Sequence, residues 1–114
     1  MHTMQGFQTR EQAHENLFAH DEELRFRLRA HAARLFLEWI GQELNRDIGE
    51  KEALKERAAK CVCETDGLQK LEHMAHDQFA QAEQECSRHR LEQQWDACYI
   101  RALKDFGLDA EIAS

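Results

Sequence analysis

The residues of this sequence best able to do chemistry are its cysteines, its histidines and its clustered carboxylates. Cys61 and Cys63 form a C-x-C, and Cys86 and Cys98 follow at wider spacing. Zinc sites favour C-x₂₋₄-C on a turn, where both thiolates can face one metal. Residues two apart on a helix point to nearly opposite sides, so one helix cannot aim Cys61 and Cys63 at a shared ion. Cys86 and Cys98 fall on apolar stripes, where a cysteine behaves as a small hydrophobe. All four are expected to be reduced, structural thiols. His73 and His76, at i and i+3, do share a helix side, but no third ligand is specified and Glu72 before His73 does not complete an H-E-x-x-H. They are expected to be solvent-exposed. A small metal- or thiol-based sensor built on Cys61, Cys63, Cys86 or the His73/His76 pair is the competing reading. His20 precedes Asp21, and a histidine beside an acid changes charge near neutral pH. Two roles stay open for it: tuning a docking contact, or solvating the start of a helix.

Asp21, Glu22 and Glu23 make a carboxylate cluster just before Leu24. Acids in a first helical turn are favoured by the partial positive charge of the helix N-terminus, and that reading is preferred to a general acid/base pair. Gly-rich phosphate loops and nucleophile motifs are missing from the sequence. No catalytic residue, cofactor site or metal site is assigned, and the chain reads as a binding or regulatory module rather than an enzyme.

Composition sets the frame in which these residues are positioned. A length of 114 residues fits one domain with a real core. An apolar fraction of 42% argues against wholesale disorder, and the lack of proline with only five glycines makes continuous helix the default. The net charge of −7 disfavours a nucleic-acid partner, because neutralising phosphates needs a basic face. No apolar run approaches the roughly 18 residues of a membrane span, so no direct membrane insertion is expected. No signal peptide is visible, which makes a cytoplasmic chain with free thiols the expectation.

Residues Met1 to Gln8 hold only scattered apolar groups and are expected to be disordered. Thr9-Arg10-Glu11-Gln12 fits a capping box, but the helix it would start offers only Ala13, Leu17 and Phe18 for burial, and short isolated helices are marginal in water. From Asp21 to Asn45 the pattern strengthens. Leu24, Leu28, Ala32, Leu35 and Trp39 make one helical stripe, and Phe26, Ala30, Ala33, Leu37 and Leu44 make a second. Two stripes predict a central helix buried on more than one side. Its acidic first turn leads into Arg25, Arg27 and Arg29, a charge pattern suited to a chain that presses a segment into another protein. Asp47 with Glu50 predicts a capping box for a second helix running to about Cys63. Asp66 is the expected cap of a third, with Leu68, Leu71, Ala75, Phe79, Ala82 and Cys86 on its inner face and Glu72, Asp77, Glu83 and Glu85 on an acidic outer face. Ser87 is the expected cap of a fourth, striped by Leu91, Trp95, Cys98, Ala102 and Phe106 and closed by Gly107 as C′ residue. Arg88, Arg90, Arg101 and Lys104 suggest that it lies antiparallel to the acidic third helix. The predicted class is all-α: a small four-helix bundle over residues 21–114 with a flexible, partly helical N-terminal arm over residues 1–20.

The stretch ENLFAHDEELRF, from Glu15 to Phe26, closely resembles the signature of the zeta subunit family of alphaproteobacterial F-type ATP synthases, which typically reads ENKFAHDEELRF. Phe7, Arg10, Glu11 and Ala13 resemble the F-x-x-R-E-x-A segment that precedes it, and Ala30 to Trp39 resembles the family's A-R-R-N-K-L-L-G-L-W. From Asn45 onward the likeness is one of helix pattern. Leu17 stands where the family has lysine, and the four cysteines are not part of its pattern. The resemblance implies a four-helix fold and an inhibitor whose N-terminal segment becomes helical at the catalytic alpha/beta/gamma interface and blocks rotation in the hydrolysis direction. Carried over residue by residue, it implies that Phe7, Arg10 and Glu11 lie in the inserting arm. Glu15, Asn16, Phe18, Ala19, His20, Asp21, Glu22 and Glu23 lie in the signature joining it to the bundle. The implied partners are the alpha, beta and gamma subunits, the implied location is peripheral to the inner membrane, and the free chain is expected to be a monomer. The alternative reading is a divergent helical interaction module with another partner and no inhibition.

Overall fold

The computed structural model describes residues 21–108. The arm expected over residues 1–20 lies outside them, as do residues 109–114. The described residues form four helices and no strand: α1 (Glu22–Glu43), α2 (Ile48–Cys61), α3 (Gly67–Gln81) and α4 (Arg88–Asp105). The expected four-helix architecture is what the chain adopts.

Local chemistry sets the helix ends. Asp21 caps α1, its side chain accepting from the Leu24 N–H at 2.9 Å. Asp47 and Glu50 form the predicted capping box at α2, with reciprocal bonds of 2.8 and 3.2 Å. Ser87 caps α4 by accepting from the Arg90 N–H at 3.1 Å. Three helices then close with the same pair of backbone bonds, a Schellman motif around one left-handed residue. In α1 the left-handed residue is Asn45, and the Arg46 N–H donates to the Gly41 carbonyl at 2.9 Å. In α3 it is Glu83, with the Gln84 N–H on Phe79, and in α4 it is Gly107, with the Leu108 N–H on Leu103.

Two local expectations need correction. Asp66 precedes α3 but makes no side-chain cap bond, because it is itself left-handed at φ 57°. Its neighbour Gly67 is there for space: a Cβ at that position would run into the carbonyl of Val62. The third helix is also shorter than its stripe. Ala82 is its C-cap and the turn at Glu83 ends it, which leaves Cys86 in the connection to α4.

The core centres on α1, which packs most extensively against α2 and α4. Both neighbours run antiparallel to it. Glu38 receives Lys51 and Lys55 at 3.2 and 3.0 Å, and Arg34 meets Glu56 at 3.2 Å, tying α1 to α2. Lys55 first, then Lys51, hold the Glu38 carboxyl below the usual glutamate range. On the other side Arg90 pairs with Glu43 at 3.0 Å and lies over the Trp39 ring at 5.2 Å, while His31 meets Asp105 at 2.8 Å near the far end of α4. The basic fourth helix was expected against the acidic third, but its main neighbour is α1.

Burial on two sides of α1 is observed, with a different phase from the predicted stripes. Leu28, Ala32, Ala33, Phe36, Leu37 and Ile40 are fully buried. Leu24, Leu35 and Trp39, placed in the core from sequence, sit at its margin, as does Phe106, and Phe26 is exposed. Phe36 and Ile40 belong to neither predicted stripe. Leu71, Leu91, Trp95 and Phe79 fill the core as expected.

Two glycines at helix contacts should respond differently to alanine. At Gly67 the obstacle is backbone, so Gly67→Ala should cost about 2–3 kcal/mol or more, the scale of overpacking a rigid contact. At Gly41 the obstacle is the flexible stem of Lys51, so Gly41→Ala should cost clearly less. Urea unfolding of both variants checks the order, and equal losses would mean that the Val62–Gly67 turn relaxes freely.

Candidate partner-binding site

Of the residues assigned to partner binding, Asp21, Glu22 and Glu23 are described, and all three are exposed at the start of α1. Phe7, Arg10, Glu11, Glu15, Asn16, Phe18, Ala19 and His20 lie outside the described residues. Asp21 is occupied in capping, while Glu22 and Glu23 occupy the first turn, where the helix dipole favours acids. Leu24 anchors the turn against the core margin, and Phe26, two residues on, leaves its ring partly in solvent. The α2–α3 connection closes on the same end of α1, with the Cys63 Sγ 3.9 Å from the Phe26 carbonyl oxygen. Beside it Arg29, Glu64 and Asp66 line a shallow recess, and Glu64 is held by Lys70 at 3.0 Å. The start of α1 is thus a capped, charged platform with one exposed aromatic ring.

A family model described as ATPase inhibitor subunit zeta matches residues 4–105. The chain belongs to that family. No curated protein and no solved structure matches it. The matched span takes in the ENLFAHDEELRF stretch and all four described helices, so residues 4–20 and the bundle fall within one family match. The family is one of ATPase inhibitors, in keeping with a regulatory rather than catalytic reading.

Elsewhere in this zeta-family chain the reactive residue types are dispersed. Among the described residues no three His, Cys, Asp or Glu side chains gather so as to hold a metal, and no helix is long and apolar enough to cross a membrane. His73 and His76 are exposed on α3. Cys61 is half-buried at the end of α2 and Cys63 exposed in the turn after it. Burial raises the thiols of Cys61 and Cys86, and pushes that of Cys98 up to about 12. Thiols so raised stay protonated and are poor nucleophiles at neutral pH.

Glu72 departs most from its sequence reading. Assigned to an acidic outer face, it is buried, with 4% of its side chain exposed. The α4 N-terminus folds over it, bringing the Arg88 Nε to 3.5 Å, and the His76 Nε2 stands at 3.7 Å. Burial raises the Glu72 carboxyl above the usual glutamate range, with His76 and Arg88 only partly offsetting it. The Glu-x-x-x-His spacing was a legible signal for the local pair; the covering helix was not.

The raised Glu72 carboxyl gives a signed prediction. Its neutral form suits the fold, so its contribution to stability is fully present below the ordinary glutamate range and is lost as pH rises through the raised folded value. Glu72→Gln stays neutral and should gain stability relative to the parent between about pH 4 and 7. Urea unfolding across that range checks it, and a variant that only loses ground would mean that the pairing with Arg88 outweighs burial. The thiols give another: iodoacetamide on native protein should modify Cys63 first and Cys98 only on unfolding, as read by mass spectrometry. Early labelling of Cys98 would show α4 opening locally.

Proposed function

We propose that this chain inhibits ATP hydrolysis by the F-type ATP synthase, with residues 1–20 as an inhibitory arm and residues 21–114 as the bundle that presents it. The carrying observation is the family match over residues 4–105, which joins the arm and the bundle under the description of an ATPase inhibitor. In this reading Phe7, Arg10 and Glu11 insert at the catalytic alpha/beta/gamma interface and block rotation in the hydrolysis direction. Glu15, Asn16, Phe18, Ala19, His20, Asp21, Glu22 and Glu23 form the joint between arm and bundle. The capped start of α1, joined to the core at Leu24 and Leu28, supports that arrangement, because a short segment binds well only when its end is fixed near the target. The chain works in the cytoplasm, held at the inner membrane through the synthase.

Deleting residues 1–20 should abolish inhibition of hydrolysis by isolated catalytic heads while leaving the thermal midpoint nearly unchanged, since the core begins near Leu24 and Leu28. A synthetic peptide of residues 1–28 should inhibit only weakly, because it must order itself without an anchor. The measurement is a titration of full-length and truncated protein against ATP hydrolysis by heads from the same organism. Equal inhibition by the two would remove the arm from the mechanism, and no inhibition by either would leave a helical interaction module for another partner.

A further inference from the structure

A second surface, remote from the start of α1, brings two arginines and a glutamine amide together. Arg46, Arg57 and Gln78 line one open cleft of about 240 Å³ between the beginning of α2 and the end of α3. Among the described residues neither arginine has a carboxylate within ion-pair distance, in contrast with Arg34, Arg88, Arg90 and Arg101. Arg46 is fixed by its backbone, as the residue that closes the Schellman motif of α1. Its Nε is buried without a hydrogen-bond partner. Gln78 is only 5% exposed, yet its side chain makes no hydrogen bond to another described residue. A polar side chain on a cleft wall with no protein partner is open to a ligand's acceptor. Three groups that can all donate, two of them cationic and one nearly buried, therefore face the same space on a chain of net charge −7.

The shape and charge of the cleft select among anions. Its walls include Glu50, already committed to the Asp47 cap. A fixed negative charge at the rim penalises a dianion more than a monoanion, which disfavours free phosphate. Ala53 and Leu54 supply an apolar strip between the polar groups, suited to the methylene stem of an acidic side chain. The cleft is open, so it does not enclose a small free ion. A carboxylate carried on a polypeptide fits on each count, and the guanidinium fork is the group best matched to it. We propose that this cleft is a docking site for an acidic segment of a protein partner, with a side-chain carboxylate held by Arg46 and Arg57 and a further acceptor met by the Gln78 amide. The site stands whether or not residues 1–20 inhibit hydrolysis.

The test is an NMR titration of isotope-labelled full-length protein with a short, end-capped glutamate-rich peptide, alongside a lysine-rich peptide of equal length and inorganic phosphate. The acidic peptide should shift the amides of Arg46, Ala53, Leu54, Arg57 and Gln78, and added salt should weaken it. Arg57→Gln should weaken it about tenfold, the scale of one charge-assisted hydrogen bond. Arg57 is exposed and makes no ion pair among the described residues, so this variant keeps the fold, and Arg46→Gln is the stricter second test. The proposal is overturned if phosphate shifts these amides at lower concentration than the peptide does. It also falls if the acidic peptide binds elsewhere or not at all, or if Arg57→Gln leaves its affinity unchanged.

Discussion

A chain of aromatic contacts runs through the middle of the bundle, and the positions of three helices depend on it. Trp95 of α4 meets Phe36 of α1 edge-on, with ring centroids 5.7 Å apart. Phe36 in turn lies nearly parallel to Trp39 at 6.1 Å, and Trp39 is tilted against Phe79 of α3 at the same distance. Tyr99 extends the series within α4, 6.0 Å from Trp95. Each such pair adds roughly 0.5–1.5 kcal/mol beyond its buried area and prefers a narrow range of geometries. The ion pairs of α1 with α2 and α4 surround this centre at partly exposed positions, where each contributes little stability and mainly fixes register.

This dependence explains what was legible in the sequence and what was not. Helix ends are local events: Asp47 with Glu50, Ser87 before Arg88, and Gly107 after Phe106 each carry their own cap chemistry, and all three act as read. Asp66 looked like the same signal, but its backbone is left-handed beside the close approach of Gly67 to Val62, a contact no spacing rule contains. The rotation of α1 was not legible either. A helix buried on two sides has more apolar positions than one stripe can sort, and only the meeting with Trp95 selects Phe36 over Leu35 as the inward residue. Glu72 shows the same limit in charge: it lies among acids in the sequence and is buried because α4 folds over it.

The candidate sites divide along the same line. The segment from Glu15 to Phe26 is contiguous, so a family likeness could be read directly from it, and the family match covers it. Among the described residues it contributes a capped helix start, the acids of a first turn and the ring of Phe26. The Arg46–Arg57 cleft has no counterpart in any short stretch. One of its arginines is held by the closing turn of α1, the other stands within α2, and Gln78 comes from α3. Only the packed bundle brings them to one surface.

The placement of α1 between α2 and α4 has a consequence for biosynthesis. A nascent chain emerges from the ribosome in order, at roughly 5–20 residues per second. α2 follows α1 after a short turn and can cover one side of it at once. The side that carries Phe36 must wait for Trp95, which belongs to α4, the last of the described helices to be made. Until then an apolar strip of α1 is open to chaperones and proteases. A chain broken off before α4 therefore carries its own mark of incompleteness, and cellular quality control can recognise it before it reaches any partner.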